Sequence, residues 1–258
     1  MCCDFHTHLH NDADIHKSLK LIEKYSITSV ACSVDIPSFT KTKEIAGKSS
    51  LIIPTFGIHP VKADTASTLS LLDPFLLSSP IIGEIGLDQR WATDVPLSDQ
   101  IRVFEYILDH CSRYKKYCVI HTSGVEEKVY DMLLHFPGAK PVIHWYDGST
   151  ELLKKMTNKG WYFTYGLELH YSQKIRNLLN LTPLDLVLSE TDNPESETWL
   201  GGKEESPLLI RRVVEDIAQV KKISVHKADQ ILMDNAAKIF TESGLHPDSL
   251  VRNPPVSR

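Results

Sequence analysis

Short apolar runs alternate along this chain with longer amphipathic stretches. The runs at Cys2–Phe5, Ile27–Ser33, Leu51–Ile58, Ile81–Ile85, Tyr117–Ile120, Pro141–Ile143, Trp161–Tyr165 and Leu186–Leu188 are apolar and often β-branched, the pattern of strands buried on both faces. Pro141 has no N–H for a ladder and opens its strand. Between the runs, apolar positions recur at helical spacing over Asp14–Tyr25, Thr40–Lys48, Thr65–Leu77, Ser98–Lys115, Val125–His135, Thr150–Lys159, Ser172–Leu179 and Pro207–Val220. One more helix is predicted at Ser224–Phe240, with Ser98 and Ser224 as N-caps. Eight strand–helix units in sequence imply a parallel α/β sheet and suggest closure into a (β/α)8 TIM barrel. A doubly wound open sheet is the alternative, but no Gly-rich phosphate turn follows the first strand. The expected organisation is one barrel domain over residues 1–243 and a tail over 244–258 containing Pro247, Pro254 and Pro255.

Composition narrows the picture. The 258 residues suit one barrel, and 42% apolar with 24% charged residues is ordinary for a folded protein. A formal charge of −5 argues against coating nucleic acid by bulk charge, though not against gripping one phosphate through metal ions. Five cysteines without a C-x-x-C pair read as small hydrophobes in a reducing cytoplasm. The first residues lack a secretory pattern, and no apolar run reaches membrane length, so no membrane partner is expected.

The candidate chemistry sits where the strands end. His6-Thr7-His8 closes the first unit's strand, and residues two apart on extended backbone point the same way. Glu84 lies in an apolar run within Gly83-Glu84-Ile85-Gly86-Leu87-Asp88, where a buried acid needs a partner. His121 follows Val119-Ile120, and His144 follows Val142-Ile143. Asp192 ends the eighth unit; Glu190, two residues earlier, is the competing acid and is given the role of orienting a ligand. Any one of these is an unremarkable core or surface residue. Six of them at the ends of strands one, four, five, six and eight point to a metal site at the catalytic rim of a barrel. His59, in Gly57-Ile58-His59-Pro60, faces the same rim and suits either contact with a substrate anion or a structural turn. Trp91, Trp145, Tyr146, Tyr165 and Trp199 fall near strand-end loops, as stacking surfaces or as packing.

The blocks DFHTHL (4–9), GIHP (57–60), GEIGLD (83–88), VIHT (119–122), VIHW (142–145) and ETDNP (190–194) resemble, in order, those of the TatD family of metal-dependent deoxyribonucleases. The resemblance implies phosphodiester hydrolysis, 3′ to 5′ on single-stranded DNA, by two divalent ions (Mg, Mn or Zn). It implies that His6, His8 and Asp192 hold one ion, that His121 and His144 hold the other, and that Glu84 bridges. His59 matches the family's phosphate-side histidine, and Asp192 would take a proton from the attacking water. The chain departs from the pattern at four places. Ser123 stands where the family has arginine, and Gln89 where it has an aromatic residue. Gly201–Glu205 keeps only Lys203 of a basic loop, and Glu195 replaces an aromatic residue. Two lost arginines weaken the case for a general polynucleotide substrate. A small-molecule amidohydrolase or lactonase, a nucleotide-adduct hydrolase and a non-catalytic partner-binding subunit therefore stand as alternatives. The blocks also resemble the TatD-type member of the Qat antiphage systems, which would imply defence-system partner proteins.

Overall fold

The apolar runs pair as parallel strands because each is buried on both faces and returns through a helix on the outside. In the computed structural model, residues 2–194 and 206–245 are described. Eight strands are found among them: β1 Cys2–Thr7, β2 Ile27–Cys32, β3 Ile52–Thr55, β4 Ile82–Asp88, β5 Tyr117–Ser123, β6 Lys140–Ile143, β7 Tyr162–Tyr165 and β8 Val187–Ser189. The helices are α1 Ile15–Tyr25, α2 Ile36–Ala46, α3 Asp73–Ser78, α4 Leu97–Tyr114, α5 Glu126–Leu134, α6 Thr150–Thr157, α7 Gln173–Leu181, α8 Leu209–Lys221 and α9 Val225–Glu242.

Two parallel runs, β1-β2-β3 and β4-β5-β6-β7-β8, share one barrel wall. They are linked at Phe56 and Ile82, where Gly83 N–H donates to Phe56 O at 2.9 Å. At the other seam, Asp192 N–H donates to His6 O (2.9 Å) and His8 N–H to Asn193 O (2.6 Å), which closes β8 onto β1. The expected (β/α)8 TIM barrel is the architecture found. Phe5, Val30, Ile53, Ile81, Val119, Val142 and Leu188 are buried together with α9, whose Phe240 stacks on Phe5 with ring centroids 5.8 Å apart. No described helix is long and apolar enough to cross a membrane. All five cysteines are buried and free.

Several boundaries differ from the pattern reading, each for a local reason. The helix expected over Thr65–Leu77 is instead 3₁₀ turns at Pro60–Thr65 and Leu69–Leu72 followed by the six-residue α3. Pro74 lacks the N–H an interior position needs and is accommodated only in a first turn. Helix α2 starts earlier than Thr40, because Asp35 and Ser38 form a reciprocal capping box around Pro37. Ser98 is not a cap: α4 begins at Leu97, after Pro96. Ser224 does cap α9, accepting from the Lys227 N–H. Strands β1, β4 and β5 run further than their apolar cores, so His6 and His121 lie inside strands rather than just beyond them. Backbone pairing continues where side chains turn polar, as in the register Gly86↔His121 and Asp88↔Ser123.

Candidate metal centre

The six predicted ligand residues converge on one end of the barrel. His6 Nε2 and His8 Nε2 are 3.1 Å apart, and each lies within 3.5 Å of Glu84 Oε2 and of Asp192 Oδ1. Glu84 turns its other oxygen to His121 of β5 and to His144 just past β6: Oε1 is 2.8 Å from His121 Nδ1 and 3.9 Å from His144 Nε2. His144 stacks on His6 with centroids 3.7 Å apart. Among the described residues, three groups have donor atoms close enough to share an ion: His6, His144 and Asp192; His6, His8 and Glu84; and His59, Glu84 and His121.

Close backbone contact sets the position of Glu84. A Cβ on Gly57 would lie 2.2 Å from Glu84 O, and one on Gly86 would lie 1.9 Å from His121 O. Glycine is the residue that lets three strands approach there. Trp145, which follows His144, and Asp192 both hold left-handed φ values, 42° and 54°. That conformation is costly for non-glycine residues and persists where the surroundings enforce it. For Asp192 the enforcing bond is its N–H to His6 O.

Around the six lie further residues, of which the sequence reading singles out only Glu190 as an orienting group. Asp88 Oδ2 is 2.8 Å from His121 Nε2, while Asp88 Oδ1 accepts from the N–H groups of Arg90 and Trp91, both at 2.7 Å. Glu190 Oε2 is 2.6 Å from His144 Nδ1, the orienting position expected of it. His8 Nδ1 lies 3.1 Å from Cys32 O. Asp4 accepts from the Thr191 N–H and hydroxyl at 2.9 and 2.6 Å, tying β1 to the strand that delivers Asp192. Burial pushes the Asp4 carboxyl up to about 7 despite those bonds. Asp4 and Asp88 stand inside the blocks DFHTHL and GEIGLD, but the sequence reading gives neither a role.

Electrostatics test whether the cluster suits a cation. Burial opposes charge on His8 and His121. Even so, Asp192 and Glu84 hold His8 up at about 10, and Asp88 and Glu84 hold His121 up at about 9. Burial would raise both carboxyls, yet the surrounding imidazoles hold Glu84 and Asp192 well below the ordinary range. Without an ion, protons must supply the positive charge these acids demand. Asp192 Oδ1 is buried and lacks a hydrogen-bond donor. Mixed imidazole and carboxylate donors facing one another in this way fit divalent metal ions.

His59 behaves differently. Burial holds its imidazole down at about 3, so the ring is neutral. Its Nδ1 accepts from the Val61 N–H at 3.2 Å, which leaves the proton on Nε2, 3.3 Å from His121 Nδ1 and 3.6 Å from Glu84 Oε1. Glu168, on the turn after β7, is 2% exposed with one oxygen, Oε2, unpartnered; burial and Glu190 push it up to about 8. A cavity of about 940 Å³ opens over the cluster, lined among others by Lys41, Lys62, Arg90, Trp91, Trp145 and Tyr171. Of the other aromatic candidates, Tyr146 and Tyr165 are core residues, their hydroxyls bonded to Ser149 O and Thr182 Oγ1. Lys203, Trp199 and the tail from residue 246 lie outside the described residues.

A TIM barrel with histidines and carboxylates gathered at the C-terminal ends of its strands defines the class of metal-dependent hydrolases. The family model "TatD related DNase" matches residues 3–241, and the chain belongs to that family. It is a metal-dependent hydrolase acting on ester bonds. Among its relatives, the human deoxyribonuclease TATDN3 is 25% identical, covering 92% of this chain and 93% of that protein. The uncharacterized metal-dependent hydrolase MJ1582 of Methanocaldococcus jannaschii is 26% identical, over 92% and 96%. The crystal structure of YJJV, a TatD homolog from Escherichia coli, superposes with a TM-score of 0.84 at 21% identity, over 93% of this chain and 98% of that one.

Proposed function

We propose that the protein hydrolyses phosphodiester bonds of DNA, trimming single strands from the 3′ end. His6, His8 and Asp192 would hold one ion, His121 and His144 the other, and Glu84 would face both. The observation that carries this reading is Glu84 itself. One of its oxygens faces His6 and His8 and the other faces His121, the disposition a carboxylate needs to serve two ions at once. Two divalent ions, whether Mg, Mn or Zn, would supply acidification of a water and stabilisation of phosphoryl charge. Asp192, ionised at neutral pH, receives the proton that leaves the attacking water. His59 offers its Nε2–H to a phosphoryl oxygen as a neutral donor. Asp88 and Glu190 keep His121 and His144 in the tautomers that turn a lone pair toward the centre.

Incubation of the metal-loaded protein with 5′-labelled single-stranded DNA tests the reading. A ladder shortening from the 3′ end supports it; turnover confined to simple esters or lactones overturns it. A shorter substrate, such as a nucleotide bearing a small adduct, is the second reading. It is favoured by the acids among the cavity's cations: Asp147 pairs with Arg90, and Asp35 lines the wall with Lys41. The alternative of a non-catalytic subunit is disfavoured by the full ligand set.

A further inference from the structure

We propose that the loop after β4 grips the substrate through adjacent residues. Arg90 takes a phosphoryl oxygen, and Trp91 stacks on the base of the neighbouring nucleotide. The inference rests on the phosphodiester reading and adds to it the residues that decide which esters are bound.

Three observations carry it. First, the loop is fixed to the metal centre by one carboxylate: Asp88 Oδ1 accepts from the N–H of Arg90 and of Trp91, and Oδ2 meets His121 Nε2. Both side chains line the cavity that opens over the ligands. A substrate held by this loop is thereby held in register with the histidine.

Second, Arg90 is positioned but replaceably paired. Its stem lies along Gly124, where a Cβ would come 3.1 Å from Arg90 Cγ, so glycine clears its path just past β5. Its Nη1 meets Asp147 Oδ2 at 2.7 Å, and its Nη2 lies 3.5 Å from Glu126. Asp147 also pairs with Lys174, which additionally donates to the Asp147 backbone carbonyl at 2.5 Å. When the guanidinium turns to a phosphate, Lys174 stays behind, so Asp147 is not left unpaired. A planar guanidinium matches phosphate oxygens better than an ammonium does.

Third, Trp91 is 66% exposed at the cavity wall, and Tyr171, from the turn after β7, is 53% exposed on the same cavity. Aromatic side chains this exposed beside the metal centre suit unstacked bases, which are free only in single strands.

The test compares the metal-loaded wild type with variants on two single-stranded oligomers of equal length. One carries bases; the other has tetrahydrofuran in place of every base. Trp91→Ala is expected to raise KM about tenfold on the base-bearing oligomer, leave kcat within twofold, and change nothing on the baseless one. Trp91→Phe should restore most of the loss. Arg90→Ala is expected to raise KM about tenfold on both oligomers, with Arg90→Lys in between. An unchanged KM for Trp91→Ala, or an equal loss on both oligomers, overturns the stacking role. An unchanged KM for Arg90→Ala overturns the phosphate role. If the wild type cleaves neither oligomer, the phosphodiester reading itself falls and takes the proposal with it, a result distinct from an active wild type with unaffected variants.

Discussion

Asp88 and His121 are joined at 2.8 Å through the imidazole nitrogen that faces away from Glu84. The carboxylate therefore selects the tautomer in which Nδ1 is free to ligate, and it fixes the ring plane. Asp88→Asn keeps the shape but weakens that hold. We expect divalent-ion affinity to fall by about 10- to 100-fold. Metal titration followed by calorimetry checks this; an unchanged affinity would dismiss Asp88 as an orienting group.

Asp192 is the proton acceptor in the proposed reaction. Asp192→Asn should lower kcat by about 10²- to 10⁴-fold while leaving the far-ultraviolet circular dichroism unchanged. Turnover within a few-fold of wild type would remove it from that role.

Chelation is expected to abolish hydrolysis and lower thermal stability together, because ions that bind only the folded state stabilise it by mass action, by about 2.7 kcal/mol at a hundredfold excess over Kd. Differential scanning calorimetry with and without chelator reads the shift. A midpoint that does not move on chelation and metal re-addition would count against a site preorganised for ions.

Glu168 gives a pH dependence of defined sign. Its folded-state pKa is raised to about 8 from 4.5 by burial and by Glu190. Between those values the folded protein holds a proton that the unfolded chain has released, so this group's contribution to stability falls as pH rises from about 4.5 to 8 and levels off above. In metal-stripped protein, Glu168→Gln should flatten that decline, a difference on the order of 1–3 kcal/mol. Urea unfolding at pH 5 and pH 8.5 measures it; parallel slopes for wild type and variant would show that Glu168 does not carry the effect.

Much of this molecule could be read from the order of residues. The strand runs are apolar because both faces are covered, and a carboxylate or imidazole at the end of such a run stands out against it. His6, His8, Glu84, His121, His144 and Asp192 were visible for that reason, and the fold brings all six together. The partners that position them were not. Asp88 meets His121 across two strands, and Asp4 meets Thr191 only because the barrel closes β8 on β1. Such contacts depend on three-dimensional closure, which carries no local signal. Residues 65–77 misled because their apolar spacing is helical, and Pro74 alone sets where a helix can start there. The loss of arginine at Ser123 suggested a weakened phosphate path. The cavity nevertheless contains a guanidinium from another loop, Arg90, which local sequence comparison does not reveal.

Helix α9 packs with the inward-facing barrel residues Phe5, Val30, Ile53, Val119, Val142 and Leu188. Its Asn235 side chain ties down the carbonyls of Leu184 and Val187 at 3.0 and 2.8 Å, and its Phe240 covers Phe5. This helix, the last among the described residues, thus works as a stopper, keeping water out of that end of the barrel. With rigidity anchored at that end, the loops of the opposite rim can exchange charges and aromatic rings without loosening the cage beneath them, which leaves substrate choice free to drift while the chemistry stays put.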